Sequence, residues 1–184
     1  VWEEIHRDPA QRERLADDLD ALTQGGVIRR IRLPARGPRG LGVSPDGRTL
    51  AVASYFTGEV LLLDTRTVKL TRRIPLDSPG EPDLVRRGEA AFCDATFSLQ
   101  HWMSCSTCHP DGRVDGLDWD LMNDGLGTPK NTKSLLWAHR TPPMMARGVR
   151  PNMETAVLAG FRFTQDFEPA TNEVEAVRAY IRSL

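Results

Sequence analysis

Within the stretch MSCSTCHPDGRVD, from Met103 to Asp115, two thiols stand two residues apart and an imidazole follows at once: Cys105-Ser106-Thr107-Cys108-His109. One turn of chain can present both thiols to the vinyl groups of a haem and bring the next side chain beneath the iron. The pattern therefore reads as covalent attachment of one haem c through Cys105 and Cys108, with His109 as the proximal ligand. Two other chemistries use the same residue types. Zinc would take the two thiols and the histidine with Cys93 or His101 as a fourth ligand, and a dithiol pair could cycle to a disulfide. Zinc sites usually show a second ligand pair, and thioredoxin-like motifs need a surrounding βαβ pattern; the sequence displays neither. Cys93 itself reads as a buried structural thiol.

Downstream runs a long, turn-rich segment, PDGRVDGLDWDLMNDGLGTPKNTKSLLWAHRTPPMMARGV. A loop of this length needs something to organise it, and a haem would serve. Arg113, Lys130 and Lys133 are candidates to approach the haem propionates, because a basic side chain offsets a carboxylate. Trp119 is a candidate to pack beside the porphyrin. For the distal iron position Met145, in a turn 36 residues after His109, is the leading candidate, with Met144, Met153 and His139 as alternatives. A thioether there would raise the haem potential and suit electron transfer, whereas an open position would admit small molecules.

The elements that must hold these residues divide the chain. Residues 1–26 contain a helix over 8–24, started by Asp8 and Pro9, striped by Leu15, Leu19 and Leu22, and stopped by Gly25-Gly26. Over residues 27–76 the period changes to short β-branched and aliphatic runs: VIRRIRL, GLGVS, TLAVASYF, EVLLLD and KLTRRIPL. Turn signals between them, above all Ser44-Pro45-Asp46-Gly47, predict a small antiparallel sheet. Residues 77–83 are proline-, glycine- and acid-rich and read as a linker. From 84 to 184 helices return. Leu84, Ala91 and Phe92 share a face of the first, and Phe97, Leu99, Trp102 and Met103 supply apolar surface near the thiols. NMETAVLAG forms a short helix, and a longer one over 172–184 is capped by Asn172 and Glu175 and striped by Val174, Val177, Ile181 and Leu184. The fold class is α+β.

With 24 basic and 25 acidic residues the formal net charge is −1, and the basic residues read as scattered among acidic ones, which gives no reason to expect nucleic acid. No apolar run approaches the length of a membrane span. Haem c is attached outside the cytoplasm, so a periplasmic or other extracytoplasmic location is expected. The opening Val-Trp-Glu-Glu is not an export signal, and further chain is expected upstream.

Two resemblances add to this. RGLGVSPDGRTLAVASYFTGEVLLLDTRTVKLTRRIPL resembles one blade of a YVTN-type β-propeller, which implies remaining blades as partners, within a longer polypeptide or another chain. Residues 84–184 resemble a haem domain of the bacterial di-haem cytochrome c peroxidase superfamily, through RRGEAAF leading to CSTCH, then PKNTKSLL, TPPMMARG, METAV and the closing YIRSL. The resemblance implies a mainly α-helical cytochrome c domain that relays electrons in a peroxidase-like oxidoreductase, partnered by a second haem domain or a redox protein. A stand-alone electron carrier, or a haem that itself reduces peroxide, is the alternative. Two departures bear on the choice: no histidine lies between His109 and His139 where a peroxidatic haem would have its distal one, and the stretch after METAV reads LAGFRF without the methionine of an electron-transfer haem.

Overall fold

The computed structural model describes residues 8, 10, 13, 22–23, 26, 28–76, 80–121 and 127–184. It has an α+β architecture in two compact units, Val1–Leu76 and Asp77–Leu184. Of the expected first helix, Ala10, Glu13, Leu22 and Thr23 are helical, and the Ala10 N–H donates to the Asp8 carboxylate at 2.9 Å. Leu15, Leu19 and the rest of that stretch lie outside the described residues. No helix among the described residues is long and apolar enough to cross a membrane.

The first unit is a four-stranded antiparallel sheet in sequence order: β1 Pro38–Val43, β2 Thr49–Ser54, β3 Glu59–Asp64 and β4 Leu70–Pro75. Alternation decides which side chains go inward, so Val52, Leu61 and Leu63 form the core while Val60 and Leu62 face the other way. The Ser44–Gly47 turn closes as its composition predicts. Gly47 takes φ +69°, its N–H donates to the Ser44 carbonyl at 2.8 Å, and the Ser44 hydroxyl receives the Thr49 N–H at 3.0 Å. The run Ile28–Leu33 departs from the expected strand. The sheet takes its edge from β1, and this run contributes Leu33 to the core by packing alone.

Glu59 is buried with its carboxylate clamped by Arg73, Nε to Oε2 at 2.7 Å and Nη2 to Oε1 at 2.8 Å. Those hydrogen bonds hold the Glu59 carboxyl below its ordinary value. A group lowered in the folded state contributes stability above its unfolded pKa, about 4.3 for glutamate, and that contribution is lost as pH falls through the folded value. Glu59→Gln should therefore lower the melting temperature of this unit at pH 7 and flatten the acid limb of its stability profile. Acid limbs that superimpose for the two proteins would count against this.

In the second unit, α1 Leu84–Phe92 packs against the last helix, α4 Thr171–Ser183, with the one-turn α2 Cys105–Cys108, the pair β5 Asp118–Trp119 and β6 Lys130–Asn131, and α3 Met153–Ala159 between them in sequence. Asp83 caps α1 by accepting the Arg86 N–H at 2.7 Å. Asn152 does the same for α3, accepting from Thr155 at 2.9 Å. The expected Asn172–Glu175 cap is corrected. Helix α4 starts at Thr171, two positions before the helix begun by an Asn172 cap, so the carboxylate at the third helical position is that of Glu173, which accepts the Ala170 N–H at 2.6 Å. Ala91, Phe92, Met153, Phe161, Val177 and Ile181 form the core. Leu84, expected to share that face, is 41% exposed at the first turn. Glu154 ties α3 to α4 through Arg178 at 2.6 Å and Arg182 at 2.8 Å.

Candidate functional site

Helix α2 is a single turn built for its side chains rather than its length. The Ser104 N–H donates to the Thr107 hydroxyl oxygen at 3.0 Å, and the His109 N–H donates to the Cys105 carbonyl at 3.0 Å. The chain leaves helical geometry at His109, and Pro110–Gly112 turns back tightly, with Asp111 at φ +51° and Gly112 at φ +70°. That return puts the Arg113 carbonyl 3.3 Å from His109 Nδ1. A carbonyl can only accept, so Nδ1 carries the ring proton and Nε2 keeps its lone pair, the arrangement a metal-binding imidazole needs. Burial lowers the His109 pKa, opposed by the Arg113 and Lys133 carbonyls and the Asp115 carboxylate, which favours the neutral ring.

Cys105, Cys108 and His109 line one cavity of about 480 Å³, within the ~300–1,000 Å³ typical of cofactor sites. Both cysteines are unbridged. Burial pushes the Cys105 thiol up to about 12 and raises Cys108 as well, the latter with help from the Asp115 carboxylate. Cys105 Sγ donates to Gln165 Oε1 at 3.3 Å. Gln165 is 2% exposed, and its Nε2 has no hydrogen-bond partner among the described residues. A buried amide donor left open beside a thiol, in the wall of a cavity, is a place where a cofactor is expected to touch.

The cavity gathers most of the residues proposed from sequence. Trp119, Lys130, Lys133, Met144, Met145 and Met153 all line it. Trp119 is held by its Nε1–H, which donates to Asp115 Oδ2 at 2.7 Å, and the Lys130 ammonium is bonded to the Thr128 carbonyl. Arg113 stands apart from these. Its side chain is exposed and absent from the cavity wall, and its backbone carbonyl, fixed by the tight turn, is the part that reaches His109. His139 does not line the cavity either; its Nε2 accepts from Arg140 Nε at 3.3 Å. Met145 is 38% exposed at φ +70°, beside the buried Met144, whose N–H donates to the Arg150 carbonyl at 2.7 Å.

Residues not anticipated at the site are Gln165, Asp115 and Arg150. Gln165 follows a π-helical turn, Gly160–Thr164, whose extra residue per turn no local pattern in GFRFT announces. The residue set fits a covalent haem: two thiols on one turn, an imidazole with a free lone pair, apolar walls from Phe92, Val177 and Ile181, and cations for carboxylates. It does not fit zinc. Cys93 and His101 lie off the cavity, and no group of three or more His, Cys, Asp or Glu side chains among the described residues is placed to hold a metal ion.

The chain is similar to hydrazine synthase subunit gamma of Kuenenia stuttgartiensis. The identity is 36% over 121 residues, 58% of this chain and 34% of the relative. A structure of Kuenenia stuttgartiensis hydrazine synthase under xenon pressure superimposes with a TM-score of 0.51 at 33% identity, over 58% of this chain and 38% of that one. The chain thus spans about a third of the length of the hydrazine synthase subunit. It matches no protein-family model. Neither likeness carries the name of a peroxidase.

Proposed function

We propose that the Asp77–Leu184 unit is a haem c domain working in electron transfer within a larger, extracytoplasmic oxidoreductase of the di-haem peroxidase type. The single observation that carries this is the placing of Cys105, Cys108 and His109 on one wall of a cofactor-sized cavity. The chain's likeness to a subunit of a synthase supports partner proteins; the exposed strands β1 and β4 support further propeller blades beside the first unit.

Each residue then has a task. Cys105 and Cys108 would hold the cofactor by thioether bonds. His109 would bind the iron through Nε2, oriented by the Arg113 carbonyl on its Nδ1. When bound, the haem supplies one-electron chemistry. Lys130 and Lys133 would offset its carboxylates, Trp119 would pack at the wall, and Met145 would be the second iron ligand, with Met144 and Met153 as the other thioethers within the cavity lining.

Treating the protein with acid and organic solvent should leave the haem on the polypeptide, and the intact mass should exceed the sequence mass by one haem. Free haem in the extract, or zinc in stoichiometric amount, overturns the assignment. The relay role is tested by spectroscopy: the oxidised protein should show the weak near-infrared band of a methionine-to-iron bond, and Met145→Ala should abolish it and lower the potential. A five-coordinate haem that reacts rapidly with peroxide before any mutation would make this the catalytic haem instead.

A further inference from the structure

Residues 127–153 contain Lys130, Lys133, Arg140, Arg147 and Arg150 and not one aspartate or glutamate. The flanking described segments of the same unit lean the other way: 80–121 holds eight acidic and three basic residues, and 154–184 five and three. Charge in this unit is segregated, against the scattering expected from the chain-wide balance. Outside the segment Arg162 meets Glu168, and Arg178 and Arg182 meet Glu154. Within it, two of the arginines lie over aromatic rings. The Arg140 guanidinium lies 4.7 Å from the centre of the Trp137 ring, which is 61% exposed, and that of Arg150 lies 5.6 Å from the Phe163 ring, 57% exposed. Lys133, Met145, Val149 and Arg150 carry this surface to the cavity lining.

Exposed tryptophan and phenylalanine under guanidinium groups combine large apolar area with donors, the composition of protein–protein hot spots. A phosphate backbone would favour a continuous cationic stripe without such rings, and the acidic flanks would repel it. We propose that the acid-free segment 127–153, with its Trp137–Arg140 and Arg150–Phe163 pairs and the exposed Arg147 and Val149, docks an acidic redox protein, one whose apolar contact patch is ringed by carboxylates, beside the cofactor cavity that Val149 and Arg150 line. The proposal rests on the reading of this unit as a haem c domain in electron transfer. Opposite charges across the two rims would speed encounter and fix orientation, while the rings supply the contact.

The test uses the full chain from a host that attaches haem c. The probe is isotope-labelled, zinc-substituted plastocyanin, an acidic cupredoxin that reports docking without passing electrons. Its amide shifts should move at low salt, and affinity should weaken on the order of tenfold between ~10 and ~150 mM ionic strength. Arg140→Gln combined with Arg147→Gln should weaken low-salt binding by about fivefold or more, with the circular dichroism of the chain unchanged. Equal binding by a basic mitochondrial-type cytochrome c, no shift at low salt, or undiminished affinity in the double variant overturns the proposal. Tighter binding to duplex DNA or to phosphatidylglycerol vesicles than to plastocyanin overturns it too. The docking residues are all protein, so salt-sensitive binding by a chain that mass spectrometry finds haem-free and near-ultraviolet circular dichroism finds folded would uphold this surface and remove only the haem reading.

Discussion

Gly88→Ala is expected to drop the melting temperature of the helical unit by roughly 10–20 °C, the fall that about 2–4 kcal/mol produces in a domain of this size. Gly88 sits where α1 crosses α4. A β-carbon added there would lie 1.8 Å from the Ala176 carbonyl oxygen and 2.4 Å from its carbon, with Tyr180 Cβ at 2.9 Å. The obstacle is backbone, which cannot rotate aside, so the helices must part. Parting them loosens Phe92 from Tyr180, now 5.1 Å apart between ring centres, and opens the core shared by Ala91, Val177 and Ile181. Alanine gains about 1 kcal/mol over glycine in helix propensity, too little to offset the clash. Thermal denaturation followed at 222 nm decides the matter, and a melting temperature equal to or above that of the parent protein would show that the crossing can widen freely.

This crossing illustrates what the sequence could and could not disclose. Local signals were legible because the residues that generate them lie within a few positions of one another. Ser44-Pro45-Asp46-Gly47 closes its own turn, Asp83 caps the helix it precedes, and the alternation in EVLLLD sorts Leu61 and Leu63 inward. The same locality made the placing of two thiols and an imidazole on one turn readable. Gly88 gave no such signal, since a glycine in a helix pattern looks like a small propensity loss until the carbonyl of Ala176 is brought against it. Gln165 was hidden for a similar reason: its partner Cys105 is sixty residues away in sequence. The part played by Arg113 at the imidazole gave no signal because sequence inspection weighs side chains, whereas here it is the backbone carbonyl that reaches His109. Ile28–Leu33 has the residue types of a strand, but a strand also needs a neighbour to pair with.

Replacing both attachment thiols, Cys105→Ala with Cys108→Ala, is expected to cost the helical unit its unique fold once loosely held haem is removed. Phe92, Met153, Val177 and Ile181 belong both to the hydrophobic core and to the lining of the 480 Å³ cavity, so the site is a gap in the core itself. At about 24 cal/mol per Å³ an enclosed void of this size would cost about 11–12 kcal/mol, comparable with the ~5–15 kcal/mol that holds a whole domain together. Water entering the cavity relieves part of that along the side lined by His109, Lys133, Arg150 and Gln165, but it finds no partners on Phe92, Met153, Val177 and Ile181. A bound haem would fill the gap and tie its two thiol-bearing positions to His109; without the links to Cys105 and Cys108 only His109, Met145 and packing would retain it. The haem-free double variant should keep most of its far-ultraviolet circular dichroism, lose the near-ultraviolet signal, bind a hydrophobic dye and melt without a sharp transition. The single variants, each retaining one thioether, should fall between it and the parent protein. A haem-free double variant that melts cooperatively at the temperature of the haem-loaded protein would mean that the cavity is not part of the core's folding, and would detach the cofactor from the stability of the unit.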